Sequence, residues 1–154
     1  MKNNELTEFI DGFASLVISS FDGKTTHSSY APCLRNEECF YICVSKLASH
    51  YANLTNYPNQ ISIIFLEDEC KASSVFDRKR ASFSCDCEQI FDERDAIFDK
   101  FIAKFSSDET PKILKNLSDF CIFKLILKNG RYVKGFGSAY ETSGLNIVNH
   151  IMKK

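Results

Sequence analysis

The chain has no tryptophan, no run of apolar residues near the ~18 that a membrane span requires, and no excess charge of either sign. Its 154 residues carry 19 basic and 20 acidic side chains, a formal net charge of -1. That balance supplies no general pull toward nucleic acid or anionic lipid, so neither is an expected partner. The opening MKNNELTEFIDG lacks the apolar core of an export signal, and the expected location is the cytoplasm. Internal repeats, low-complexity stretches and Gly/Ser linkers are also missing, which points to one domain able to bury a real core. No G-x-S-x-G elbow, Walker loop or G-x-G-x-x-G fingerprint occurs, so the sequence offers no local motif for a serine hydrolase or a phosphate-cradling loop.

What is present is unevenly spent: 14 Phe, 6 Tyr and seven Cys. An odd number of cysteines without an export signal disfavours a disulfide framework. Cys39-x-x-x-Cys43 with Cys85-x-Cys87 suggests zinc, but both pairs sit in strand-like text, CFYICV and ASFSCDC, rather than in ligand-presenting turns. Buried thiols acting as small hydrophobes are the preferred reading.

Residues 4–11 read as a short amphipathic helix closed by Gly12. SLVISSF, the pair Asp22-Gly23 and KTTHSSYAPCL make a strong hairpin signal, and ECFYICVSK follows as a third strand. A helix over 47–57 stops before Pro58, and ISIIFLE reads as a buried strand. After the polar loop DECKASSVFDRK comes the strand RASFSCDCEQI, then a helix over 92–105 with Phe91, Phe98, Phe101, Ile102 and Phe105 on one face. TPKILKNL reads as one helical turn. The segment from Phe120 to Glu141 reads as two strands turning at Asn129-Gly130, with Gly135 and Gly137 inside the second, and a short polar tail ends the chain. Six or seven strands joined mainly by hairpins, with two or three helices, predict a mostly β fold with flanking α: an antiparallel barrel with helices packed outside.

Arg78-Lys79-Arg80 is the densest basic cluster and opens a strand. Alternation aims Arg78 and Arg80 to one side, where two guanidinium groups can grip a phosphate or carboxylate, or simply pair with Glu67, Asp68 and Glu69. Of the three histidines, His27 has no evident partner, His50 lies on the helix after the third strand, and His150 lies in the tail, where it can cap a ligand pocket.

Three stretches fall into a known order: Ser45-x-Leu47-Ala48-x-His50-x-x-Asn53-Leu54, then Glu67-Asp68-Glu69 with Arg78-x-Arg80, then Val133-Lys134-Gly135-Phe136-Gly137-x-Ala139-Tyr140. Together they resemble the haem-utilisation, HugZ-like branch of the pyridoxamine 5'-phosphate oxidase-like FMN-binding split-barrel superfamily, over about residues 4–145. The resemblance implies a six-stranded antiparallel split β-barrel over 1–145, a short tail over 146–154, and a homodimer with ligand sites in clefts between subunits. It implies haem as the first ligand, with Arg78, Arg80 or Lys134 on the propionates and His150 on the iron, and a separate reductase for oxidative haem degradation. The alternative within the superfamily is an FMN-binding oxidoreductase, its phosphate held by Ser45, Lys46, Ser49 and His50 with Arg78 or Arg80 in support. His50 and Tyr51 stand where the flavin oxidases usually carry Arg and Lys, and the haem branch keeps His at the first of these places. A third possibility is a module that carries a flat cofactor without turnover.

Overall fold

The computed structural model describes residues 4–151. Its elements are α1 (Asn4–Asp11), β1 (Ser15–Phe21), β2 (Thr26–Asn36), β3 (Cys39–Ser45), α2 (Ser49–Asn56), β4 (Ile61–Leu66), β5 (Arg80–Ile90), α3 (Arg94–Lys104), α4 (Thr110–Lys115), β6 (Phe120–Gly135), β7 (Ser138–Ser143) and β8 (Asn146–Ile151). Every strand pair is antiparallel. The order β3-β2-β1-β4-β5-β6 closes on itself because β6 also pairs with β3, which leaves no open edge among those six strands. This is the expected six-stranded barrel.

The Asp22-Gly23 turn forms as the sequence predicts. The Asp22 carboxylate accepts the Lys24 and Thr25 N–H groups at 2.8 Å, and Gly23 takes a φ of 98° that side chains rarely tolerate. These hydrogen bonds and His27 Nε2, 2.8 Å away, hold the Asp22 carboxyl at about 2.

The second expected hairpin does not form. β6 runs through Asn129 and Gly130 without turning, and its two halves have different neighbours on one edge. Phe120 to Ile126 pairs with β3, whereas Asn129 to Gly135 pairs with β7, so the sheet splits there. Gly130 serves close approach rather than a turn. A Cβ on it would clash with the Ser82 carbonyl oxygen and would meet Phe83 Cδ1 at 2.5 Å and Thr142 Oγ1 at 2.8 Å. The turn falls at Phe136-Gly137 instead, with Gly137 at φ 73°, so Gly137 is a turn residue and Gly135 ends β6. Of the residues expected as a short tail over 146–154, Asn146–Ile151 form β8, reached through a turn at Gly144 and anchored by Leu145, which is 1% exposed, and 152–154 lie outside the described residues.

Alternation explains the interior. Leu16 and Ile18, Ile42 and Val44, Ile63 and Phe65, and Phe83 and Cys85 face the core, and α1 adds Leu6 and Ile10. A second cluster lies outside the barrel, where α3 packs Ile97, Phe98 and Phe101 onto Tyr41 and Ile122. Phe91 does not belong to that face: it precedes the N-cap Glu93 and is exposed, and Ile97 takes the buried position. The Arg94 guanidinium ties α4 down through the Lys115, Leu117 and Phe120 carbonyls at 2.8–3.0 Å. Six cysteines lie on strands and Cys70 in the exposed loop, and burial pushes the Cys85 and Cys87 thiols up to about 12. Among the described residues, no group of three or more His, Cys, Asp or Glu side chains is placed to share a metal ion. No described helix is long and apolar enough to cross a membrane.

Candidate functional site

The residues singled out from the sequence fall into two groups. Ser45, Lys46, Ser49 and His50 occupy the connection from β3 into α2, beside the start of β6, where Ser45 pairs with Phe120. Arg78, Arg80, Lys134 and His150 lie toward the other end of β6, where Arg80 pairs with Val133. At ~3.3 Å per residue the two places are roughly 40 Å apart along that strand, so one chain does not bring the eight residues together.

The β3–α2 connection is largely occupied with its own structure. Ser45 Oγ accepts the Leu47 N–H at 3.1 Å, and the Lys46 N–H donates to the Asp119 carbonyl at 2.7 Å. His50 is 7% exposed, and burial lowers its pKa below the ordinary imidazole value, so it is neutral at pH 7. Asn53, next on the same helix, is also buried and donates to Ser20 Oγ at 2.9 Å. Lys46, exposed, is the one fixed positive charge on this connection.

The opposite end is more open. Arg78 is spent within its loop: Nε donates to the Glu67 carbonyl at 2.7 Å, and Nη1 lies 3.7 Å from Glu69 Oε1. Arg80 is exposed, donates to the Arg78 carbonyl at 3.1 Å, and has no acidic partner among the described residues. Lys134 Nζ lies 2.7 Å from Glu5 Oε2, and that hydrogen bond raises its pKa, so it keeps its charge.

His150 sits on β8 directly across from Tyr140 on β7. The two rings stack at 4.8 Å and 24°, and His150 Nε2 lies 3.0 Å from the Gly137 carbonyl oxygen. The imidazole is exposed and is the outermost ring of a ladder: Tyr140 stacks on Tyr132 at 6.4 Å, and Tyr132 packs against Phe9 at 5.9 Å. Phe136, at the tip of the β6–β7 turn, is 78% exposed, and Phe76 in the loop before β5 is 85% exposed. The two tips are adjacent, since a Cβ on Gly135 would meet the Asp77 carboxylate at 3.4 Å. This end therefore carries exposed aromatic surface, with the His150 imidazole and the Lys134 ammonium on the face of Tyr132 and Tyr140, while the register puts Arg80 on the opposite face of the sheet. Sequence reasoning named His150, Arg80 and Lys134 but passed over Phe76 and Phe136. An aromatic between two glycines, in GFG, was the available signal for the latter.

Fold comparison places the chain among split barrels. A putative pyridoxamine 5'-phosphate oxidase from Listeria innocua matches 86% of this chain and 98% of its own at a TM-score of 0.65, with 13% identity. No family model matches the sequence. Heme oxygenase HutZ of Vibrio cholerae is 34% identical over 151 residues, which is 96% of this chain and 84% of that protein. The structure of Campylobacter jejuni ChuZ matches 97% of this chain at a TM-score of 0.89 with 34% identity, and the chain spans 61% of its length. The chain belongs to the family of HutZ and ChuZ, and it shares the split-barrel fold.

Proposed function

We propose that this protein binds haem, as a homodimer, and takes part in its oxidative degradation. The observation that carries the reading is the exposed, oriented imidazole of His150, flanked by exposed aromatic side chains, in a chain 34% identical to a heme oxygenase. The donor set fits haem. His150 supplies a ring nitrogen for the iron once its Nε2 exchanges the Gly137 carbonyl for the metal, and Phe76 and Phe136 supply apolar surface for the macrocycle, while Arg80, on the other face of the sheet, keeps its guanidinium without an acidic partner among the described residues. Lys134, on the His150 face, supplies the positive charge for a propionate if its contact with Glu5 is exchanged for one with the ligand. When bound, haem supplies the dioxygen and electron-transfer chemistry, and the electrons come from a separate reductase. The chain's own part is to hold the iron ligand, neutralise the carboxylate edge and cover one face of the ring.

The β3–α2 connection supports FMN less well. A flavin phosphate calls for fixed positive charge, and Lys46 stands alone there beside a buried, neutral His50.

Dimerisation is supported by the outer face of the barrel. Ser28 and Tyr30 on β2, Val17 and Ser19 on β1, and Ser62 and Ile64 on β4 sit side by side and carry no charge, in a chain that is 25% charged. Tyr30 is 69% exposed there. A second copy is the occupant we propose for this face, with the ligand clefts between the two subunits.

The test is to mix the protein with haemin and follow the Soret band, then add ascorbate in air. Binding shifts the band, and degradation then consumes it. A shifted band that survives ascorbate assigns a carrier without turnover, a reading in line with the description of the HutZ structure as a heme storage protein. A band unmoved by the protein contradicts haem binding.

A further inference from the structure

The outer positions of β2 change character along the strand. Ser28 and Tyr30 are open to solvent, Pro32 lines a cavity, and Leu34 packs against the aromatic cluster under α3. The helices α3 and α4 thus stand as a wall at one end of the uncharged face of β2, β1 and β4. The cavity lies at the foot of that wall and has a volume of about 220 Å³. Pro32 and its cross-strand partner Ser15 border it on the sheet, and Phe98, Phe101, Phe105 and Leu114 line it from the helical side.

The chain leaves this space unfilled because α4 is held by polar contacts. It has no buried residue, and the Arg94 guanidinium grips its C-terminal end through the Lys115 and Leu117 carbonyls. The lining is apolar apart from Ser15, Thr110 and Asp108. The Asp108 carboxylate accepts the Thr110 N–H at 2.8 Å and has lone pairs left for an O–H donor. A cavity of ~150 Å³ already holds a benzene ring, so this one has room for a phenol.

Tyr30 stands beside it. It lies two residues from Pro32 on the same face of β2, roughly 7 Å away, so it borders the cavity of its own chain without entering it. Its ring is 69% exposed, and Val17, directly across from it on β1, is 43% exposed. An aromatic knob and an apolar hole of ring size, side by side on one uncharged face, are self-complementary. A two-fold axis passing between them seats both rings at once.

We propose that Tyr30 of one copy fills the apolar cavity between α3, α4 and the barrel of a second copy, so that two such contacts anchor the dimer. This rests on the homodimer reading above and deepens it by naming the anchor and its socket. The cavity walls take the ring, and the Asp108 carboxylate at the rim takes the phenol hydroxyl.

Two experiments on the full chain test it. The first replaces Tyr30 with p-azidophenylalanine, which keeps the ring, in a mixture of isotopically labelled and unlabelled chains. Illumination and peptide mass spectrometry are expected to join position 30 to the peptides that carry Phe98, Phe101 or Leu114, in pairs of one labelled and one unlabelled chain. The second is sedimentation equilibrium of the wild type, Tyr30→Phe and Tyr30→Ala. Loss of an aromatic anchor from a closed pocket raises the dimer dissociation constant at least about thirtyfold in Tyr30→Ala, whereas Tyr30→Phe, which keeps the ring, weakens the dimer less. Circular dichroism checks that the exposed-residue variants keep the fold. Absence of labelled–unlabelled cross-links to the α3–α4 segment, or a Tyr30→Ala dimer as tight as the wild type, overturns the socket and leaves the dimer reading in place. A wild type that sediments as a monomer at every concentration overturns both.

Discussion

The β3–α2 connection and the β7–β8 ladder each carry a histidine beside an aromatic residue, yet they use them in opposite ways. His50 is folded inward, stripped of water and kept neutral. His150 faces outward, with its plane set by Tyr140 and one nitrogen engaged by the Gly137 carbonyl. The lesson is that histidine in a family motif does not by itself mark a ligand. Exposure and a fixed orientation separate a side chain that can receive a cofactor from one that completes a core.

Substitutions at the two histidines break the comparison most sharply. His150→Ala is expected to weaken haemin binding on the order of a hundredfold, while His50→Gln leaves it within about twofold, as measured by absorbance titration. The strand split that builds the His150 end is the next target. Gly130→Ala forces a methyl group against the Ser82 backbone and the Phe83 ring and should cost about 3 kcal/mol. For a domain of this size that is a fall of roughly 6–12 °C in Tm, read by calorimetry. Charges give a smaller contrast: Lys134→Ala should weaken haemin binding up to about tenfold, and Lys46→Ala hardly at all, because only the first removes a hydrogen bond to a carboxylate.

The smallest effect is in pH. His50 has a folded-state pKa depressed by burial, so the unfolded chain binds its proton first as pH falls. Its contribution to stability is complete above the unfolded value near 6.5 and is lost as pH drops from there toward the folded value. Denaturant titrations from pH 7.5 downward should therefore show a decline that His50→Gln flattens. An unchanged slope in the variant would show that His50 is not buried as described.

Most of the barrel was legible because alternation and local turn chemistry specify it. β1, β2, β4 and β5 match their predicted strands within a residue or two, and Asp22-Gly23 makes the turn it announces. Asn129-Gly130 misled because a glycine needed for close approach of three strands reads the same as a glycine needed for a turn. Only the third dimension separates them. β8 was missed for a related reason: it is an edge strand with exposed polar positions, and its one deeply buried neighbour, Leu145, is a weak signal alone. At the site, His150, Arg80 and Lys134 were named from sequence, but the stack on Tyr140 and the meeting of the tips that carry Phe76 and Phe136 depend on strand register.

The central claim is that the His150 end takes haem and the His50 connection takes no flavin. It is tested most directly by titrating the wild-type protein with haemin and, separately, with FMN while recording absorbance. The expected result is a shifted, saturable Soret band with haemin and an unperturbed FMN spectrum. A perturbed, saturable flavin spectrum together with a Soret band that does not move would contradict it.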